Sequence, residues 1–225
     1  MNFKEKHLVE KLEKILKKQF GTNIAFKELS AGYGIADLVF AEDFSFTRRN
    51  AAKRPPITNY AALQVFLNMA QGKLYSLDEL TGLLSGSPRA EIKRHLSTLE
   101  KSGYIRGSEH LYQKVINEGA FNPIKKVIAI EAKLSDHKNG LIQARRYQYF
   151  ADESYLAILK GTMRETHIQE LKQYNIGLIL FDKETSSIEI FHPTSASSLL
   201  QNNLNVFAKE IMLDSFSRSV SLAQL

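Results

Sequence analysis

Apolar residues recur at helical spacing over 3–19. Leu8, Leu12, Ile15 and Leu16 share one stripe there, which predicts an amphipathic helix ended by Gly21. Residues 22–29 read as extended. A glycine-rich turn, Ala31-Gly32-Tyr33-Gly34, then leads into the mostly apolar strand Ile35-Ala36-Asp37-Leu38-Val39-Phe40. The style changes at 47–56 (TRRNAAKRPP), a polar, basic linker carrying Arg48, Arg49, Lys53 and Arg54. Three helices are expected next, over 60–70, 76–84 and 88–102. Ser76 with Glu79 forms a capping box, and Ser87-Pro88 supplies a cap and a first-turn proline. Gly103 stops the third helix. Residues 104–106 and 111–116 then read as two short strands around a polar turn, Gly107-Ser108-Glu109-His110.

After Phe121-Asn122-Pro123, strands are expected over 126–134, 155–159, 176–181 and 187–191, with helices over 141–150 and 165–174. This alternation predicts an α/β sheet covered by helices. The tail, 193–225, is helical in pattern, with Leu199, Leu200, Leu204, Phe207, Ile211 and Met212 on one broad stripe. The chain thus divides into a first α/β stretch (1–52), an inserted block (53–118), a second α/β stretch (119–192) and a helical C-terminal tail (193–225). Neither α/β stretch suffices for a domain alone, but together they reach an ordinary domain size, and exposed loops tolerate insertions. Three helices and a hairpin in about sixty residues are the plan of a winged helix-turn-helix.

Composition narrows the chemistry. The chain has 225 residues and no cysteine, which excludes disulfides, thiolate zinc sites and cysteine nucleophiles. Lys and Arg number 30 against 24 Asp and Glu, a formal net charge of +6 that permits a polyanionic partner without requiring one. No signal-like segment and no run of about 18 apolar residues occurs, so a cytoplasmic protein with no membrane partner is expected. The six histidines lack the spacing of a zinc protease helix, and neither GxSxG nor a phosphate-cradling GK[ST] loop is present.

The chemistry centres on Ile130-Glu131-Ala132-Lys133. Residues i and i+2 of a strand face the same way, so Glu131 and Lys133 share a face amid apolar flanks, where unpaired charge is costly. Such a pair can simply neutralise itself at a sheet edge. Asp37, in another apolar strand, adds a second carboxylate; two strand-borne acids suit a hard cation such as Mg²⁺ or Mn²⁺. On the first helix, at about 100° per residue, Glu5 falls inside the apolar stripe and Glu10 on the opposite, solvated face. Glu5 is therefore the acid expected to point at the site.

Glu5 on the first helix, Gly34-Ile35-Ala36-Asp37, Ile130-Glu131-Ala132-Lys133 and Gln143-Ala144-Arg145-Arg146-Tyr147 together resemble the PD-(D/E)XK, or restriction-endonuclease-like, superfamily. The resemblance spans the two α/β stretches. It implies a mixed central sheet flanked by helices and metal-dependent cleavage of nucleic acid. It also implies that Asp37, Glu131 and the Ala132 carbonyl hold the cation, that Lys133 acts on the attacking water, and that Glu5 is an accessory acid. Gln143 and Tyr147 are implied beside the site, with Arg145 and Arg146 against phosphate. Ala36 stands where the motif has proline, and the 94-residue spacing of Asp37 and Glu131 reflects the insertion.

In the insertion, Ile92, Leu96 and Leu99 give the third helix a buried face. Arg89, Lys93, Arg94, Ser97 and Lys101 lie on or beside the other face and suit a DNA major groove, with Arg106 and Lys114 near the wing. The expected function is a metal-dependent DNA endonuclease acting on duplex DNA, for which a homodimer would supply two active sites. The alternatives are an inactive DNA-binding regulator and a protein-assembly module using the winged helix.

Overall fold

The computed structural model describes residues 3–44, 54–84, 86–116, 124–194 and 199–223. The linker cations Arg48, Arg49 and Lys53 lie outside the described residues. Contacts divide the chain into two units: residues 1–44 with 124–208, and residues 45–123 with 209–225.

In the first unit, the leucine stripe forms helix α1 (Glu5–Gln19) and buries Leu8, Leu12 and Leu16 completely. Gly21 follows it at φ 62°. Strands β1 (Ala25–Ser30) and β2 (Ile35–Glu42) pair as an antiparallel hairpin. In the second unit come α2 (Tyr60–Asn68), β3 (Leu74–Ser76), α3 (Leu77–Leu83), α4 (Arg89–Lys101), β4 (Ile105–Ser108) and β5 (Leu111–Lys114). The chain then returns to the first unit with β6 (Lys126–Lys133), α5 (His137–Tyr147), β7 (Glu153–Leu159), α6 (Glu165–Gln173), β8 (Gly177–Asp182) and β9 (Ser187–His192). Helix α7 (Asn202–Ala223) closes the chain.

The large sheet has the order β1-β2-β6-β7-β8-β9. Its pairs are antiparallel except β6–β7 and β7–β8, which are parallel because α5 and α6 carry the chain back across the sheet. The stretches 127–130 of β6 and 156–159 of β7 are apolar because helices cover both faces. On one face α1 packs on Leu38, Phe40, Ile128, Ile130, Ala132, Ala157 and Ile179. On the other, Leu141 and Ala144 of α5 and Ile168 and Leu171 of α6 pack on Leu156, Ile158 and Leu178. The result is an α/β unit with a mixed six-stranded sheet between helical layers.

In the second unit, α2, α3 and α4 enclose Leu63, Phe66, Leu80, Ile92, Leu96 and Leu99, with Tyr104 edge-on to Phe66 at 5.3 Å. Ser76 and Glu79 form the expected capping box on α3. Several expectations need correction. β3 pairs with β5, making a three-stranded sheet of order β3-β5-β4. The turn between β4 and β5 is tighter than expected: Glu109 and His110 both take positive φ, 49° and 68°, and Gly107 and Ser108 belong to β4. Left-handed φ at both central residues matches the twist of paired strands. Pro88, not Ser87, caps α4. Lys114 is only 3% exposed and lies 4.3 Å from the centre of the Phe66 ring, so it is no surface contact for DNA.

Helix α5 starts four residues earlier than expected, with the Asp136 side chain accepting from Asn139 N, so His137 opens a helix instead of lying in a loop. The tail is helical only from Asn202, leaving Leu199 and Leu200 ahead of the helix. Nor does the tail stand as a separate piece: α7 belongs to the first unit up to Ala208 and to the second from Lys209. Among the described residues, no helix is long and apolar enough to cross a membrane.

Gly177 lets β8 pass against a buried ring, since a Cβ there would run into Tyr155, its partner on β7. Gly177→Ala is expected to destabilise the protein by about 1–3 kcal/mol through overpacking. Urea unfolding followed by circular dichroism checks this, and an unchanged midpoint would contradict it.

Candidate active site

The site forms where two paired strands part. β2 and β6 are in register from Glu42 with Lys126 up to Leu38 with Ile130, and the ladder stops one step before Asp37 would meet Glu131. There the Asp37 side chain replaces the backbone partner: its Oδ2 accepts from Ala132 N at 2.8 Å. The N–H and C=O of one strand residue point to the same neighbour, so the Ala132 carbonyl faces this gap as well.

Alternation in β2 and β6 sends Leu38, Phe40, Ile128, Ile130 and Ala132 to the α1 face. Asp37, Glu131 and Lys133 therefore share the opposite face, under α5. Glu131 is 1% exposed. Its Oε1 lies 2.7 Å from Lys133 Nζ, off line for a hydrogen bond, and its Oε2 accepts a hydrogen bond from the Tyr147 hydroxyl. That hydroxyl also lies 2.7 Å from the Ile35 carbonyl. With a single proton between two acceptors, Tyr147 tethers the Gly-rich turn to the acid. The turn passes close: Gly34 adopts φ 101°, and a Cβ there would stand 3.5 Å from the Tyr147 ring.

Lys133 Nζ also lies 3.8 Å from Glu5 Oε2, which brings α1 into the group. Gly140 on α5 makes room for this lysine, since a Cβ there would sit 3.2 Å from Lys133 Cγ. Two clefts open from the site and share Glu5. One, of about 490 Å³, is lined by Glu5, Lys133, Asp136, Asn139, Ile142, Gln143 and Arg146. The other, of about 370 Å³, is lined by Glu5, Lys6, Val9, Glu10, Lys27, Glu28 and Asp37.

Asp37, Glu131, Lys133 and Glu5 are thus gathered, with Gln143 and Arg146 on the rim of the Lys133 cleft. Arg145 does not line the Lys133 cleft; it lies 3.8 Å over the Tyr174 ring and lines an adjoining recess with Ile142 and Arg146. Glu10 is exposed yet lines the Asp37 cleft. Sequence reasoning missed Glu28. It lies opposite Asp37 on β1, between the pairs Lys27–Leu38 and Leu29–Ala36, at φ 52°. A non-glycine residue in left-handed conformation inside a strand is rare, and no pattern in the sequence signals it. In the second unit, Lys93, Ser97, Lys101 and Arg106 are exposed. Arg89 pairs with Asp78, and Arg94 with Glu91 at 3.3 Å.

Burial raises the Asp37 pKa, against the Ala132 amide and Lys133, and Glu5 and Glu28 add to the rise. Burial also raises that of Glu131, against Lys133 and Tyr147. Burial lowers the Lys133 pKa, but Glu131, Glu5 and Asp37 outweigh it and leave it raised, so the side chain stays an ammonium at neutral pH. Burial, then the Glu131 charge, pushes the Tyr147 phenol well up, and it stays a donor. The acids Asp37, Glu131, Glu5 and Glu28 surround a single ammonium, Lys133, so the site carries an excess of negative charge. Asp37, Glu131 and the Ala132 carbonyl are hard oxygen donors that fit a small divalent cation. Among the described residues, no three acid or imidazole groups stand close enough to form a finished metal cage by themselves.

Comparison with protein-family models, with curated proteins and with solved structures gave no match to this chain.

Because both acids are raised, the folded state holds their protons more tightly than the unfolded chain. Stability therefore falls as pH rises from the ordinary carboxylate range through the raised values, and the ionised acids burden the fold at neutral pH. Asp37→Asn keeps an oxygen for the Ala132 amide and loses the charge. In metal-free buffer its urea midpoint at pH 7 is expected to exceed that of the wild type, by a margin that shrinks as pH falls toward 4. A lower midpoint at pH 7 would contradict this.

Proposed function

We propose that this chain is a metal-dependent DNA endonuclease of the PD-(D/E)XK type. The observation that carries the reading is the meeting of Asp37, Glu131 and Glu5, from two strands and a helix, around the Lys133 ammonium at the point where β2 and β6 part. Asp37, Glu131 and the Ala132 carbonyl would hold Mg²⁺ or Mn²⁺. When bound, such a cation polarises a phosphodiester oxygen and acidifies a water.

The chain's own residues do the remainder. Lys133 has no lone pair to offer as an ammonium, so it orients the attacking water and offsets phosphate charge and does not take the proton. Glu5, 49% exposed in its side chain and facing both clefts, is the acid placed to accept that proton. The water oxygen bonds to phosphorus as one ester P–O bond breaks, and the departing sugar oxygen takes a proton from solvent in the open cleft. Tyr147 holds Glu131 in place, and Arg146 and Gln143 on the cleft rim meet the phosphate backbone.

The second unit is read as the winged helix-turn-helix. Its three helices and small sheet support this, with α4 presenting Lys93, Arg94, Ser97 and Lys101 to solvent as a recognition helix. Arg89 and Arg106 flank it, and their charges suit duplex DNA. A homodimer would bring two sites to the two strands.

Nicking of supercoiled plasmid in Mg²⁺ tests the reading. Lys133→Ala is expected to lose at least about a hundredfold in rate, with DNA affinity unchanged within about twofold and the circular dichroism of the wild type. Equal nicking by the two proteins would overturn the assignment of cutting to this site, and no nicking by the wild type would leave a DNA-binding protein without catalysis.

A further inference from the structure

We propose that the strand to be cut reaches the site unpaired, with its bases stacked on the Tyr33–Tyr149 ring pair beside the Lys133 cleft. This rests on the nuclease reading above. The two rings are stacked at 4.5 Å with 13° between their planes. Tyr149 covers one face of Tyr33, yet Tyr33 remains 45% exposed on the glycine-rich turn. Ile142 and Arg146 line the Lys133 cleft, and both also line an adjoining recess of about 240 Å³ with Tyr149 and Leu200. A continuous surface thus runs from the Lys133 ammonium to the ring pair.

That surface is unusual for its unit. Among the described residues of the first unit, the exposed large apolar side chains are Tyr33, Ile35, Ile142, Phe191 and Leu200, and three of these, Tyr33, Ile142 and Leu200, gather around Tyr149. Clustered exposure of this kind marks a binding surface. The chemistry selects the occupant. Within a duplex the flat faces of the bases are hidden in the stack and only edges and phosphates are offered. Unpaired nucleotides offer both a π-face and a phosphate at each step, and aromatic rings interleaved with cations bind them. Tyr33 supplies the open ring face, Ile142 an apolar wedge, and Arg146 with Lys133 the positive charge. The favoured substrate is therefore DNA with a single-stranded segment next to the scissile phosphate, such as a tailed duplex.

The test uses the full chain in EDTA, so that no strand is cut. It compares a blunt DNA duplex with the same duplex extended by an unpaired DNA tail carrying 2-aminopurine. One stacked base is expected to favour the tailed duplex by about tenfold. The wild type and Tyr33→Phe should show this preference and quench the 2-aminopurine emission; Tyr33→Leu, which keeps bulk but no ring, should lose both while binding the blunt duplex as before. Equal wild-type affinity for the two duplexes, unquenched emission, or a loss in Tyr33→Leu that affects both duplexes alike overturns the proposal, as does a stronger preference for an RNA tail. Plasmid nicking separates the two readings: nicking that survives Lys133→Ala removes the nuclease reading, whereas intact Lys133-dependent nicking with no tail preference removes only the unpaired strand.

Discussion

A half-buried ammonium group held among carboxylates is the constraint on which this site depends. Asp37, Glu131 and Glu5 come from β2, β6 and α1; the first two add negative charge where burial makes it costly, and Glu5 adds it at the mouth of both clefts. Lys133 lies 2.7 Å from one of these acids and 3.8 Å from another, and its charge lowers the cost of the third. Even so, burial keeps the pKa values of the two strand-borne acids raised against the pull of the lysine. Groups held at such cost are typical of functional sites, where the fold gives up stability for chemistry. The remaining deficit of positive charge is what a divalent cation and a phosphate-bound partner would settle between them.

The fold makes this arrangement by ending a ladder early. Had β2 and β6 stayed paired two residues further, to Ala36 and Ala132, the Ala132 amide would have gone to a backbone carbonyl and Asp37 would have had no anchor. Instead the carboxylate takes that amide, and the strands part into two clefts that share Glu5. Tyr147 closes the arrangement from the helix above, joining Glu131 to the turn that leads into β2. Gly34 and Gly140 give the turn, the helix and the lysine room to approach one another.

Much of this was legible in the sequence. The leucine stripe of α1 was plain, and because Glu5 falls inside it, that acid could be aimed at the site before any coordinates. The charged pair in apolar β6 and the lone acid in apolar β2 stood out for the same reason: burial makes charge conspicuous. What was hidden depends on non-local contacts. β3 is three residues long and exists only through its pairing with β5. Lys114 looks like a wing cation until Phe66 is seen beneath it. The start of α5, His137-Lys138-Asn139-Gly140, carries no apolar residue to show a helical period. Glu28 and the Tyr33–Tyr149 stack depend on a left-handed residue and on two distant segments meeting, and neither leaves a trace in local pattern.

The central claim is that Asp37 and Glu131 share a divalent cation beside Lys133. Crystals of the full chain soaked in Mn²⁺ test it most directly, through an anomalous difference map. The account predicts one strong peak within bonding distance of both carboxylates and the Ala132 carbonyl, with Lys133 adjacent. A map without density at that point, at a Mn²⁺ concentration that loads other carboxylates of the chain, would contradict it.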